Sequence, residues 1–143
     1  MDRVFLDANI LFSAAYQLGA GLLRLWKLRH VTLCSSRYAL EEARVNLSSE
    51  DQRMRLDKLS GSLRLFEAGQ RGLLSGISLP EKDVPILLAA IEARATHLLT
   101  GDVRHFGPYL RKRFAGVAIM LPGDYIRMRA ADHETRRLSG SSD

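Results

Sequence analysis

Short apolar runs recur along this chain, and helical spacing fills the stretches between them. The runs are VFL at Val4–Leu6, VTLC at Val31–Cys34, HLL at His97–Leu99 and VAIML at Val117–Leu121. Runs this short, bounded by turn-forming residues, read as buried strands. Between them RYALEEARVNL and EKDVPILLAAIEARA read as helices, the second with acids in its first turn, where the macrodipole favours them. Strands that alternate with helices pair in parallel through right-handed crossovers and leave a sheet covered on both faces. The fold class implied is α/β, a three-layer α/β/α sandwich with a central parallel sheet.

Other stretches carry weaker signals. Ile10–Tyr16 reads as a helix or its irregular entry, and Leu22, Leu25, Trp26 and Leu28 lie near a helical stripe. Ser35 or Ser36 is suited to cap the helix after VTLC. Leucines at 56, 59, 63 and 65 predict one or two amphipathic helices between Glu50 and about Gln70, divided at Ser60 and Gly61. GISLP predicts a weak strand ended by Pro80, VRHFGPYLRKRF a short helix, and PGDYIRMRAA a closing helix. Residues 1–131 form the expected domain, and 132–143 a polar tail expected to fray.

The length of 143 residues suits one domain, and 46% hydrophobic residues suffice for a core. No apolar run approaches the roughly 18 residues of a membrane span, and MDRVFLD lacks the pattern of a secretory signal. Cys34, the single cysteine, has no internal partner for a disulfide and reads as a buried thiol. The expected location is the cytoplasm, with no membrane partner. A net charge of +5 permits contact with a polyanion without establishing it.

Acids fall where such a sheet gathers its sites, at the carboxyl ends of strands. Asp7 follows VFL, Asp102 follows HLLTG, Asp83 opens the helix after GISLP, and Glu41 and Glu42 lie on the helix after VTLCSS. Each has an ordinary structural role open to it: helix cap, turn residue or solvated face. Asp7 fits such a role least, because a carboxylate after a buried strand costs several kcal/mol unless paired or bound to metal. Together, clustered carboxylates repel, and hard divalent cations with oxygen ligands relieve that repulsion. Mg²⁺ or Mn²⁺ in such a setting activates water and stabilises charge on a phosphodiester.

Other chemistries lack their residues. One cysteine and scattered histidines at 30, 97, 105 and 133 make no zinc spacing. Neither a GxxxxGK[ST] phosphate loop, a GxGxxG after a strand, nor a GxSxG elbow is present.

VFLDANILFSA resembles the opening of PIN-domain nucleases, whose first strand ends in Asp with Asn two places on. SSRYALEEARVNL is similar to their second motif, and KDVPILLAAIEARATHLLTGDVRHFG to their third and fourth. The resemblance runs from Val4 to about Ile126, and LLTGDVRHFG is its most specific part. It implies that Asp7, Glu42, Asp83 and Asp102 hold Mg²⁺ or Mn²⁺ as the catalytic acids, with Glu42 preferred to Glu41. Asn9 and Thr100 match supporting positions. Many members carry a further acid after the fourth motif; here Val103, Arg104, His105 and Phe106 stand there instead. Arg104, His105, Arg111, Lys112 and Arg113 are candidates to meet substrate phosphates, although RKR also suits an exposed helical face.

The implied function is metal-dependent endonucleolytic hydrolysis of RNA. Small members of the family are often toxins of toxin–antitoxin pairs, so an antitoxin protein and a homodimer are the implied partners besides RNA. A free-standing RNA-processing nuclease and a catalytically weakened RNA-binding module are the alternatives.

Overall fold

A computed structural model describes residues 1–17, 21–69 and 76–139, the last helix by backbone alone from residue 133. Six strands form one sheet in the order β3-β2-β1-β4-β6-β5. The strands are β1 (Asp2–Leu6), β2 (Val31–Ser35), β3 (Arg64–Leu65), β4 (His97–Leu99), β5 (Arg113–Phe114) and β6 (Val117–Met120). All neighbours run parallel except β5, which is antiparallel to β6. The helices are α1 (Ala8–Tyr16), α2 (Arg37–Asn46), α3 (Glu50–Ser60), α4 (Val84–Glu92), α5 (Val103–Phe106) and α6 (Pro122–Ser139). The class is α/β, a mostly parallel sheet sandwiched between helices, as the alternating pattern predicts.

Strand β1 lies at the centre because its side chains suit nowhere else. Val4, Phe5 and Leu6 are fully buried, and β2 and β4 flank it in register at Phe5↔Cys34 and Phe5↔Leu98. Removing each such side chain from water stabilises the fold by about 1.5–3 kcal/mol. The chain leaves β1 toward β2 and β3, then returns across β1 to build β4, β6 and β5 on its other side. The order therefore reverses between β1 and β4. With right-handed crossovers, that reversal sends later helices to the opposite face and opens a crevice at the carboxyl ends of these two strands.

Several expectations change. Glu50–Ser60 is one helix, closed at its start by a capping box between Ser49 and Gln52. In place of a second helix the chain then forms edge strand β3, with the Phe66 amide bonded to the Ser35 carbonyl at 2.9 Å. Residue 70 lies outside the described residues. GISLP makes no strand: the amide and carbonyl of Ser78 bond instead to the Tyr109 hydroxyl, at 2.8 and 3.0 Å. The stripe Leu22, Leu25, Trp26 and Leu28 winds as a 3-10 segment over Gly21–Lys27, with Leu28 just beyond it, pinned by buried Leu25 and by Trp26 Nε1 donating to the Leu59 carbonyl at 3.0 Å. VRHFGPYLRKRF begins as α5 and a 3-10 turn, then enters a two-residue hairpin. Ala115 and Gly116 hold φ of 50° and 83° at its tip, the left-handed pair that joins strands with native twist. The closing helix α6 extends to Ser139, so the expected tail begins as helix; residues 140–143 lie outside the described residues.

Candidate metal centre

The end of β1 delivers Asp7 to the crevice. Its amide continues the ladder by donating to the Leu99 carbonyl at 3.0 Å, and its carboxylate sits at the N-cap of α1. One carboxylate oxygen accepts from the Ala8 amide at 2.6 Å; the other accepts from the Thr100 hydroxyl at 2.8 Å and Asn9 Nδ2 at 3.1 Å. Asn9 in turn accepts from the Gly101 amide at 2.7 Å, so it locks the β1 and β4 ends together. Asp7 is only 4% exposed. Burial pushes its pKa from 3.8 up to about 6, Asp83 nearby adds to the rise, and the Thr100, Ala8 and Asn9 donors oppose it. Capping and site geometry are combined in one side chain here.

Asp83 differs. It occupies the N-cap position of α4 yet makes no capping hydrogen bond. At 7% exposure, its Oδ2 atom is buried without an aligned hydrogen-bond donor among the described residues. His105 Nδ1 approaches that oxygen to 3.0 Å but lies closer, at 2.7 Å, to Asp102 Oδ2. One ring N–H cannot serve both well, so Asp83 receives charge proximity without a well-directed bond. Burial and the Asp102 charge raise its pKa, while His105 and Lys82 pull the other way.

Asp102 caps α5 by accepting from the His105 amide at 3.1 Å, and its own amide donates to the Thr100 hydroxyl at 3.0 Å. Thr100 thus orients two acids at once. Ligand atoms of Asp83, Asp102 and His105 all lie within 4.8 Å of one another, close enough to share one cation. This tight group is not the expected four. It includes His105, assigned from sequence to substrate, and leaves Asp7 and Glu42 further out.

A cleft of about 670 Å³ joins them. Asp7, Asn9, Glu42, Asp83 and Asp102 all line it, with Asn46, Lys82 and Gly101. Glu42, not the exposed Glu41, faces the cleft from α2. The Tyr38 hydroxyl donates to the Lys82 carbonyl at 2.7 Å and holds α2 against the segment before α4. Asn46 and Lys82 were not anticipated. Asn46 is one turn beyond Glu42 and shares its helical face, and Lys82 directly precedes Asp83, so both signals were present in the spacing.

The proposed phosphate-binding cations are placed less favourably. Arg104 is exposed on α5 and does not line the cleft. Arg111, at φ 67°, ion-pairs with Asp124 at 3.4 Å rather than extending a helix. Lys112 is exposed in the adjoining turn. Arg113 pairs opposite Ala118, which is level with His97 at the amino end of β4, so it stands at the opposite edge of the sheet. RKR is a turn and an edge strand because the hairpin with β6 claims it.

Chemically, the donor set is mixed: hard carboxylate oxygens and one borderline imidazole, with a buried oxygen short of a partner. Such a set can hold a divalent cation, and among the described residues no thiolate joins it. No protein-family model matches this chain, and no curated protein matches it. The functional reading therefore rests on the residues themselves.

Proposed function

We propose that this chain is a Mg²⁺- or Mn²⁺-dependent endoribonuclease that hydrolyses phosphodiester bonds in RNA, with the role of a toxin restrained by an antitoxin protein. The observation that supports it most is Asp83 Oδ2, buried and lacking an aligned donor in a cleft lined by three further acids. A buried carboxylate of that kind costs free energy until a cation meets it. Asp7, Glu42, Asp83 and Asp102 are the residues to hold the ion. A divalent ion so held supplies a more acidic water and charge stabilisation at the phosphorus.

The chain's own groups fix the setting. Thr100 and Asn9 hold the Asp7 carboxylate in one orientation, and the His105 N–H holds Asp102. Lys82 at the cleft wall offers a positive charge for a substrate phosphate, and the Asn46 side chain a polar contact. The test is cleavage of labelled RNA by purified protein with Mn²⁺, with chelator, and with Asp83→Asn. Cleavage that persists in chelator, or in Asp83→Asn at the parental rate, overturns the reading. Growth arrest on expression of the parent but not of Asp83→Asn, relieved by a small protein encoded next to it, tests the toxin role. Without arrest, a free-standing RNA-processing nuclease is the better description.

The position of His105 favours one second reading. An imidazole N–H already lies between Asp83 and Asp102, where the resembled family often adds another acid. A module that binds RNA without efficient hydrolysis is consistent with that replacement. RNA binding in chelator, with no metal-stimulated cleavage, distinguishes it.

A further inference from the structure

A second concave site lies at the opposite edge of the sheet, between the 3-10 segment Gly21–Lys27, the turn before β2, and α6. It encloses about 580 Å³, and Arg24, Lys27, Arg29, His30 and Arg129 line it against a single acid, Asp132. Arg29 and His30 immediately precede β2, and Arg129 reaches Asp2 at the start of β1, so the groove belongs to the amino edge. We propose that this groove binds the phosphate backbone of RNA at a distance from the acidic cleft. This extends the ribonuclease reading, because it supplies that reading with a second contact on the same substrate class.

Local geometry places the cations together. In a 3-10 segment, residues three apart eclipse, which sets Arg24 and Lys27 on one side. Buried Leu25 and the Trp26–Leu59 hydrogen bond hold that segment rigid. Arg129 Nη2 donates to the Arg29 carbonyl at 2.9 Å and fixes the far wall. Arg24, Lys27 and Arg29 are exposed, and among the described residues none of them forms an ion pair. Like charges gathered on a rigid frame repel, and a polyanion offsets that cost while releasing its own counterions. Three of the five basic side chains, Arg24, Arg29 and Arg129, are guanidinium groups, whose planar fork suits phosphate oxygens. An anionic membrane or an acidic peptide fits less well. Leu28, Ile126 and Ala130 complete the lining, but Leu28 is half-buried, Ile126 is buried, and none of the large exposed apolar side chains among the described residues lines the groove.

The experiment is equilibrium binding of the full chain to a single-stranded RNA of about 20 nucleotides, in chelator, between about 50 and 200 mM salt. Arg24→Gln/Lys27→Gln/Arg29→Gln is compared with Arg37→Gln/Arg64→Gln/Arg94→Gln, which removes the same charge from exposed positions outside the groove. The groove variant is expected to bind about tenfold more weakly at low salt, with a log–log salt slope shallower by about 2, given about 0.7 per phosphate contact. The control is expected to change both by much less. Equal losses in the two variants overturn the proposal, since affinity then follows net charge alone. So does parental affinity in the groove variant. Loss of binding to phosphatidylserine vesicles or polyglutamate, with RNA binding intact, overturns it in favour of those ligands. Circular dichroism and melting temperature confirm that both variants fold. Because chelator removes the metal, the outcome is independent of whether the acidic cleft cleaves anything.

Discussion

The two edges of the sheet treat their acids in opposite ways. At the amino edge Asp2 accepts from the Tyr125 hydroxyl at 2.6 Å and has Arg129 at 3.7 Å and His97 at 3.9 Å. At the carboxyl edge Asp7 and Asp83 are deeper, lie near each other, and have pKa values raised by burial and by neighbouring acids. The one nearby imidazole lies beside Asp83 and Asp102, with its closer approach to Asp102. An acid that serves the fold is given its counter-charge by the chain. The acids proposed to serve a metal are left short of one, and the fold carries the cost. That asymmetry, more than the number of acids, separates a structural cluster from a site.

The largest effect is expected where the shortage is greatest for chemistry. Under the proposed function, Asp7→Asn should lower Mn²⁺-dependent RNA cleavage by about 10³-fold or more, since several kcal/mol of charge stabilisation would depend on an ion held there. The same change should stabilise the metal-free protein. The Asp7 pKa is higher folded than its ordinary 3.8. The folded state therefore takes up the proton more readily, and this contribution is full below about 4 and lost as pH rises through about 6. The difference corresponds to on the order of 3 kcal/mol. Urea unfolding of the metal-free parent should show stability declining from pH 4 to pH 7, with a flatter profile in Asp7→Asn. A steeper decline in the variant contradicts the shortage of positive charge at this edge.

Next in size is the response to metal. Mn²⁺ at about a hundred times its Kd should stabilise the parent by about 2.7 kcal/mol, read as a rise in melting temperature. Asp83→Asn should lose most of that rise, because it removes the buried oxygen without an aligned donor. Asp2→Asn should keep it in full, although its own melting temperature starts lower. A rise of equal size in Asp83→Asn places the ion elsewhere.

The central sheet was legible because VFL, VTLC, HLL and VAIML are short apolar runs between helical stretches, and only parallel pairing buries them all. Ser36 was legible as a cap: its hydroxyl accepts from the Ala39 amide at 3.1 Å. Asp7 and Asp102 were placed by strand ends in a doubly wound sheet, whereas Glu42 rested on the family resemblance and Asp83 on a GISLP strand that does not form, yet all four line one cleft. Strands β3 and β5 were not legible, because two residues carry no period and join the sheet only through the ladder a neighbour offers. His105 was assigned outward to substrate. One turn of α5 instead returns it to Asp102, an i, i+3 relation that the D-x-x-H spacing contained. The amino-edge cluster had no local signal at all, since Asp2 and Tyr125 meet across 123 positions.

The smallest effect on cleavage should come from that amino edge. Tyr125→Phe removes the hydroxyl that donates to Asp2 and should cost about 1.5–3 kcal/mol, as a hydrogen bond to a charged group typically does. It leaves His97 tilted against the ring at 4.9 Å between centroids, 8% exposed, with Asp2, Arg113 and Arg129 around it. Burial lowers the His97 pKa below its usual 6.5, Asp2 opposes the shift, and the two arginines reinforce it. A depressed imidazole contributes stability above pH 6.5 that is lost as pH falls through its folded pKa. The amino edge thus weakens on acidification while Asp7 strengthens. His97→Gln should flatten the acid side of the stability profile, as Asp7→Asn flattens the decline through pH 6. Tyr125→Phe should lower the urea midpoint and leave metal-dependent cleavage at the parental rate. Cleavage lost with that hydroxyl would mean that the two edges are coupled through β4, and that the division between fold-serving and ligand-serving acids does not hold.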